Sequence, residues 1–201
     1  MNKSILGIIL AGILIGLGII IWPAITQNSE ERTANLISND RPQGGDFSLM
    51  SVQGTQSLSD FKGKLVLLYF GYTFCPDICP TNLGNLSVAY QRLTPEQKAK
   101  VQILFVSVDP VRDTPERLKQ YTGYFEMNAI GLTGKPENIT QIARNYGVVY
   151  LSHQKNPQDE YYAVDHSAFT YVIDQNGNLV TQLPHATAPD DFIKTIQQNL
   201  K

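Results

Sequence analysis

Residues 64–80 read K-L-V-L-L-Y-F-G-Y-T-F-C-P-D-I-C-P, an apolar run followed directly by a turn that carries two cysteines. A continuous apolar run of this length predicts a strand that is buried on both faces, as in a parallel sheet. Cys75 and Cys79 are the only cysteines in the chain, and a proline follows each of them. In open α/β sheets, sites form beyond the carboxyl ends of the strands, so the turn is a candidate functional site.

The segments after this turn alternate between helical and strand patterns. The run V-Q-I-L-F-V-S-V at 101–108 predicts a second buried strand. A hairpin is predicted over 168–183, turned by D-Q-N-G. Helical spacing and proline-led starts predict four helices, which begin near residues 80, 115, 136 and 189.

This order of elements predicts the fold class. Right-handed crossovers would place strands 64–70 and 101–108 parallel at the sheet centre, and the hairpin would add two antiparallel strands. Phe47 and Leu49 are predicted to begin an edge strand, and 152–165 to form a polar insertion. We therefore expect an α/β protein of thioredoxin-like fold, with a central mixed sheet flanked by helices.

The N-terminus differs in kind from the rest of the chain. Residues 4–25 carry no charge and would form a helix of roughly 33 Å, enough to cross a bilayer. A cleaved signal peptide would have a shorter apolar region and a small-residue cleavage site, so a retained anchor over 1–25 is favoured. Lys3 precedes the span, which predicts a cytoplasmic N-terminus. We expect a single-pass protein of a bacterial inner membrane, its soluble domain facing the periplasm or cell exterior.

Three segments follow from these patterns: an anchor over 1–25, a polar linker over 26–43 and a folded domain over 44–201.

The formal net charge of the 201 residues is −2. Without a basic field, binding to nucleic acid is not expected. Two cysteines are also too few for a disulfide scaffold, which leaves the cysteine turn to be explained by its chemistry.

The cysteine turn has three interpretations. A disulfide between Cys75 and Cys79 would close a very small loop and would therefore stabilise the fold little. A redox pair gains thiolate character at a helix N-terminus, but the usual spacing has two intervening residues and this chain has three. A metal site is favoured because one helical turn, stiffened by Pro76, can point both sulfurs to the same side. Thiolates suit copper(I), zinc or iron–sulfur clusters, and a third ligand should then exist.

The chain contains three histidines that could supply that ligand. His153 lies in the polar insertion, where a solvated side chain is expected. His185 precedes the last helix, where a surface or capping role is favoured. His166 stands immediately before a buried strand and is either a satisfied buried histidine or a ligand. Asp165 beside it would support His166 or simply begin the hairpin.

Four motifs occur in order along the chain: G-Y-T-F-C-P-D-I-C-P, S-V-D-P-V-R-D-T-P-E, G-L-T-G and V-D-H-S-A-F-T-Y-V-I-D-Q-N-G. Together they resemble the Sco/SenC family, whose members are membrane-anchored, thioredoxin-like copper proteins that assist assembly of the binuclear copper centre of cytochrome c oxidase. The resemblance extends over about residues 44–198. It implies that Cys75, Cys79 and His166 are the copper ligands.

The resemblance implies a copper chaperone and not an enzyme. The expected cargo is copper, as Cu(I) or Cu(II), and the expected recipient is the copper-bearing subunit of cytochrome c oxidase. A thiol reductant is a further expected partner, because both thiols must be reduced before they bind metal.

Other functions remain open on the same residues. The main alternative is a thiol–disulfide oxidoreductase that keeps the cysteines of a metal-receiving protein reduced, which would need Cys75 and Cys79 but not His166. A peroxide-reducing enzyme, suggested by Thr73 ahead of Cys75, and a structural zinc site are less favoured.

Overall fold

The computed structural model describes residues 42–200, within which the chain forms nine strands and five α-helices. The strands are β1 (Ser48–Ser51), β2 (Gly54–Ser57), β3 (Leu65–Gly71), β4 (Val101–Ser107), β5 (Ala129–Leu132), β6 (Tyr150–Ser152), β7 (Val164–His166), β8 (Thr170–Ile173) and β9 (Leu179–Leu183). The helices are α1 (Ile78–Gln91), α2 (Pro95–Ala99), α3 (Pro115–Gly123), α4 (Pro136–Asn145) and α5 (Pro189–Asn199).

The central sheet has five strands in the order β5-β4-β3-β8-β9. β3 runs parallel to β4, and β4 runs parallel to β5. β8 pairs antiparallel with β3 on one side and with β9 on the other. Every residue of β3 and β4 is buried, as their apolar runs predict. The expected α/β fold with a central mixed sheet is confirmed.

Helices cover both faces of this sheet. On one face, Leu86 of α1 and Phe192 of α5 pack over Leu65 and Ile103. On the other face, apolar residues of α3 and α4 pack against the β3 side chains that point to that face. Burial of this apolar surface is the main favourable contribution to folding. It holds β3 as the middle strand of the five-stranded sheet.

The edge of the sheet is not where the sequence predicted it. The strand that begins near Phe47 pairs with β2 in a separate hairpin, and one bridge, Met50 to Thr133, connects it to the chain after β5. The edge of the parallel side is instead β5, which was not predicted. At Gly131 in β5, an added Cβ would lie 2.5 Å from the Cβ of Leu118, so a glycine lets α3 approach the strand.

The predicted polar insertion is bounded by two short strands. β6 and β7 form an antiparallel pair in a two-stranded sheet of their own, with a loop between them. The predicted anchor and residues 26–41 of the predicted linker lie outside the described residues. In the part of the chain that the structure describes, no helix combines the length and apolarity needed to cross a membrane.

Candidate metal centre

The cysteine turn leaves the end of β3 and leads into α1. The sequence predicts that this helix begins near residue 80, and in the structure it begins at Ile78, with Asp77 at the N-cap position. Cys79 therefore lies in the first helical turn and Cys75 lies before the helix. The Sγ atom of Cys75 accepts a hydrogen bond from the backbone N–H of Cys79, at 3.4 Å. Both cysteines are free thiols.

The two sulfurs differ in exposure. Cys79 is 0% exposed and Cys75 is 9% exposed, so only the first has been enclosed completely by the core. The last residue of β3, Gly71, explains how Cys79 fits there. A Cβ at position 71 would lie 2.7 Å from the Cys79 sulfur. The glycine at the strand end thus leaves the space that the sulfur occupies.

His166 is the last residue of β7, and the fold brings its ring to the cysteine turn. Its Nε2 atom lies 3.3 Å from the Sγ of Cys79. Its Nδ1 atom donates a hydrogen bond to the carbonyl of Val164, at 3.1 Å. Because a carbonyl can only accept, Nδ1 carries the proton in the neutral ring, which leaves the Nε2 lone pair facing the sulfur. The rings of Tyr72 and Tyr69 meet the imidazole at nearly right angles.

The two thiols have opposite acidities. The hydrogen bond from the Cys79 thiol lowers the pKa of Cys75 to about 5, aided by backbone N–H groups and by His166, although burial acts in the opposite direction. The same hydrogen bond, together with burial, raises the pKa of Cys79. At neutral pH the pair therefore consists of a Cys75 thiolate and a Cys79 thiol. The thiolate is the form that attacks electrophiles and binds metals.

The other two histidines lie elsewhere. His153 is exposed, and its Nε2 is 2.7 Å from the carboxylate of Asp165. The Asp165 carboxylate thus bonds to His153, while the ring of His166 is oriented by a backbone carbonyl. A backbone partner has no signature in the sequence, so this contact could not be predicted from side-chain types. His185 lines a different surface pocket, next to the start of α5.

Thr73, which precedes Cys75 by two residues, is bound to Asp113. Its hydroxyl donates to Asp113 at 2.6 Å, and its backbone N–H donates to the same carboxylate at 3.0 Å. Thr73 therefore anchors the turn to the loop that follows β4. That loop carries the S-V-D-P-V-R-D motif.

The cysteine turn and the histidine strand enclose a cavity of about 360 Å³ that is open to solvent. Its lining residues include Tyr72, Cys75, Ile78, Val164 and His166. Within residues 42–200, no group of three or more His, Cys, Asp or Glu side chains already has the spacing of a metal coordination shell. Simultaneous binding by both sulfurs and the imidazole would therefore need a rearrangement of side chains.

Comparison with known proteins agrees with this architecture. The sequence model of the family described as SCO1/SenC matches residues 37–201. The SCO2-like protein of Rickettsia felis is 36% identical over 198 residues, which are 96% of this chain and 95% of that protein.

Solved structures of two relatives superimpose on the chain. Apo Sco1 from Thermus thermophilus is 41% identical, with a TM-score of 0.70 over 79% of this chain and 91% of that one. Arabidopsis thaliana ScoI, solved with copper bound, is 35% identical, with a TM-score of 0.68 over 78% of this chain and 97% of that one. The central mixed sheet, the cysteine turn at its strand end and the match over nearly the whole chain lead to one conclusion: this protein belongs to the SCO1/SenC family.

Proposed function

We propose that the protein is a membrane-tethered copper chaperone, which binds copper through Cys75, Cys79 and His166 and delivers it to the binuclear copper centre of cytochrome c oxidase. The observation that carries this proposal is the 3.3 Å approach of His166 Nε2 to Cys79 Sγ, from residues 87 positions apart. Membership of the SCO1/SenC family supports it, because proteins of this family take part in copper delivery and oxidase assembly. The copper-bound Arabidopsis relative supports the choice of metal.

The chemistry of the ligand set suits a cargo metal. Imidazole is acceptable to both oxidation states of copper, and thiolate favours Cu(I). Three protein ligands leave a coordination position open, through which a ligand of the receiving protein can bind before the old ones leave. A closed set of four ligands would suit a structural zinc ion instead.

Loading follows from the protonation states of the two thiols. Cys75 is already a thiolate at neutral pH, whereas Cys79 must lose its proton when it binds the metal. With Nδ1 donating to the carbonyl of Val164, the Nε2 atom of His166 presents its lone pair to the site. Copper uptake is therefore expected to release the proton of Cys79.

The cellular arrangement is part of the same proposal. The apolar segment over 1–25 would anchor the chain in a bacterial inner membrane, and 26–43 would link it to the domain over 44–201 on the outer side. In that compartment a disulfide between Cys75 and Cys79 would block both ligands. A thiol reductant is therefore needed before each loading.

The test is titration of the detergent-solubilised, reduced protein with Cu(II), followed by the thiolate-to-copper absorption band. The wild type is expected to bind one copper ion, and His166→Ala to bind much more weakly. His153→Ala is the matched control, because it removes an exposed histidine and should leave binding unchanged. Full copper binding by His166→Ala would refute the ligand set.

A second candidate function is thiol–disulfide exchange that keeps cysteines of a metal-receiving protein reduced. The observation that favours it is a thiolate at Cys75, 9% exposed, beside a buried second thiol. The Cys75 thiolate would attack the target disulfide, and Cys79 would then release the reduced target by forming the Cys75–Cys79 disulfide. Reduction of a target disulfide by His166→Ala at an undiminished rate, together with absent copper transfer by the wild type, would favour this function.

A further inference from the structure

We propose that the loop over residues 109–113, here called the clamp loop, holds the cysteine turn and the histidine strand at a fixed separation. Asp109, Arg112 and Asp113 would be positioning residues, which act on copper through the segments they hold. The expected effect on copper binding rests on the proposed function. The restraint of the two segments by the loop does not, because it can be measured on the metal-free protein.

One arm of the clamp loop reaches the cysteine turn. Asp113 is 0% exposed, and each of its carboxylate oxygens is engaged. Oδ1 accepts the hydroxyl of Thr73 at 2.6 Å, while Oδ2 accepts the backbone N–H of Thr73 at 3.0 Å and the hydroxyl of Ser107 at 2.7 Å. Thr73 lies two residues before Cys75. Asp113 therefore fixes both the main chain and a side chain of the turn, and ties them to the end of β4.

The other arm reaches the segment that leads into β7. The hydroxyl of Tyr162 donates to Oδ1 of Asp109 at 2.8 Å. Arg112 donates from Nη1 to the carbonyl of Glu160 at 3.2 Å, and its guanidinium lies 3.5 Å from the ring centroid of Tyr162. These contacts restrain the two residues that stand four and six positions before His166.

The two arms begin from one rigid unit. Arg112 Nε and Asp109 Oδ2 lie 2.5 Å apart, and both side chains are less than a tenth exposed. The backbone N–H groups of Arg112 and Asp113 both donate to the carbonyl of Asp109. Removing one member of such a buried ion pair leaves the other charge without compensation. The ion pair therefore makes the loop resistant to deformation.

Strand pairing alone does not give His166 this restraint. β7 pairs with β6 in a separate two-stranded sheet, whereas the sulfurs lie at the end of the central strand β3. The ligands thus come from two parts of the fold that share no sheet hydrogen bonds with one another. The clamp loop contacts both parts, so it contributes to the distance across which a metal ion would be held.

The test uses two variants that each remove one hydroxyl group, and each has a matched control. Tyr162→Phe removes the hydroxyl that reaches Asp109 but keeps the ring against Arg112, and Tyr161→Phe is its control because Tyr161 is 89% exposed. Thr73→Val removes the hydroxyl that reaches Asp113, and Thr73→Ser restores it. We expect Tyr162→Phe and Thr73→Val each to weaken Cu(II) binding by roughly tenfold, as is typical for groups that orient metal ligands. The two control variants should stay within about twofold of the wild type.

Amide hydrogen exchange on the metal-free protein gives a readout that does not depend on copper. Tyr162→Phe should speed exchange over 160–166 and leave 72–79 unchanged, and Thr73→Val should do the reverse. If the wild type shows no thiolate-to-copper band, the proposed function fails. Amide exchange alone then tests whether the clamp loop restrains the two segments. Unchanged exchange in both segments would overturn the inference. So would copper binding by Tyr162→Phe that equals that of Tyr161→Phe.

Discussion

The two sides of the proposed copper site are held by the fold in different ways. Cys79 is fully buried at the end of the central strand, against Gly71 and within the main core. His166 is half-buried on β7, a three-residue strand of a peripheral hairpin. Cys79 is therefore held by the main core itself, whereas His166 is held through its hairpin and the clamp loop that contacts it.

If copper is transferred as proposed, this difference predicts an order of events. The imidazole of His166, on the peripheral hairpin, would be exchanged first for a ligand of the receiving protein. Cys75 and Cys79 would hold the metal until the new ligand is bound. Four measurements would break or sharpen this comparison, and they follow from the largest expected effect to the smallest.

The largest effect is expected from Cys79→Ser. This change removes the ligand at the rigid centre of the site, so copper affinity should fall by more than about 100-fold, beyond the range typical of groups that only orient a ligand. His166→Ala should cost less, because the sulfur pair remains in place. Competition with a chelator of known affinity measures both losses. A larger loss for His166→Ala than for Cys79→Ser would reverse the comparison.

Gly71→Ala tests whether there is free space around the Cys79 sulfur. Its new Cβ would lie 2.7 Å from the Cys79 sulfur and 3.0 Å from both Phe105 and Tyr69. Overpacking of this kind should lower the free energy of unfolding by about 1–3 kcal/mol. Gly84→Ala in α1 is the control, because nothing lies within 4 Å of its added Cβ. It should raise the free energy of unfolding by up to about 1 kcal/mol, and urea denaturation distinguishes the two.

The acidities of the two thiols predict a pH profile for alkylation of the metal-free protein. The pKa of Cys75 is lowered to about 5, so its thiolate persists from neutral pH down to that value. Its reaction with iodoacetamide should change little between pH 8 and about 6, and should fall roughly tenfold per pH unit below about 5. Cys79, with its raised pKa and full burial, should react far more slowly. Peptide mapping would contradict this if Cys79 were labelled first.

The smallest effect is expected from His153→Ala. The side chains of His153 and Asp165 are 49% and 73% exposed, so the contact between them is well solvated. Its loss should change the free energy of unfolding by less than about 1 kcal/mol. Thermal denaturation with and without this change measures the effect. A loss of several kcal/mol would mean that the peripheral hairpin is held more firmly than its exposure indicates.

Much of the fold could be predicted because its central strands are strongly patterned. The apolar runs at 64–70 and 101–108 and the D-Q-N-G turn lead to the observed pairing of β3, β4, β8 and β9. β5 was missed because it has only four residues and one of them is glycine, a residue that is more typical of turns than of strands. β6 and β7 were missed because three residues are too few to show an alternating pattern.

The candidate site could be predicted only at the level of side-chain chemistry. The motif spacing drew attention to Cys75, Cys79 and His166, and their role as copper ligands remains a prediction. The carbonyl of Val164, which sets the orientation of the imidazole, has no signature in the sequence. The contacts of the clamp loop were equally hidden, because they join residues 40 to 53 positions apart through burial of charged groups.

The start of α1 depends on a sulfur atom. The first-turn amide of Cys79 donates to the Sγ of Cys75, so this sulfur acts as the acceptor that caps the helix. A disulfide or an alkyl group on Cys75 would weaken that acceptor and loosen the backbone around Pro76 and Ile78. Since Ile78 is 38% exposed, the loosening would reach the molecular surface. The chemical state of the Cys75 sulfur would thereby alter the protein surface at Ile78, where a second protein could contact it.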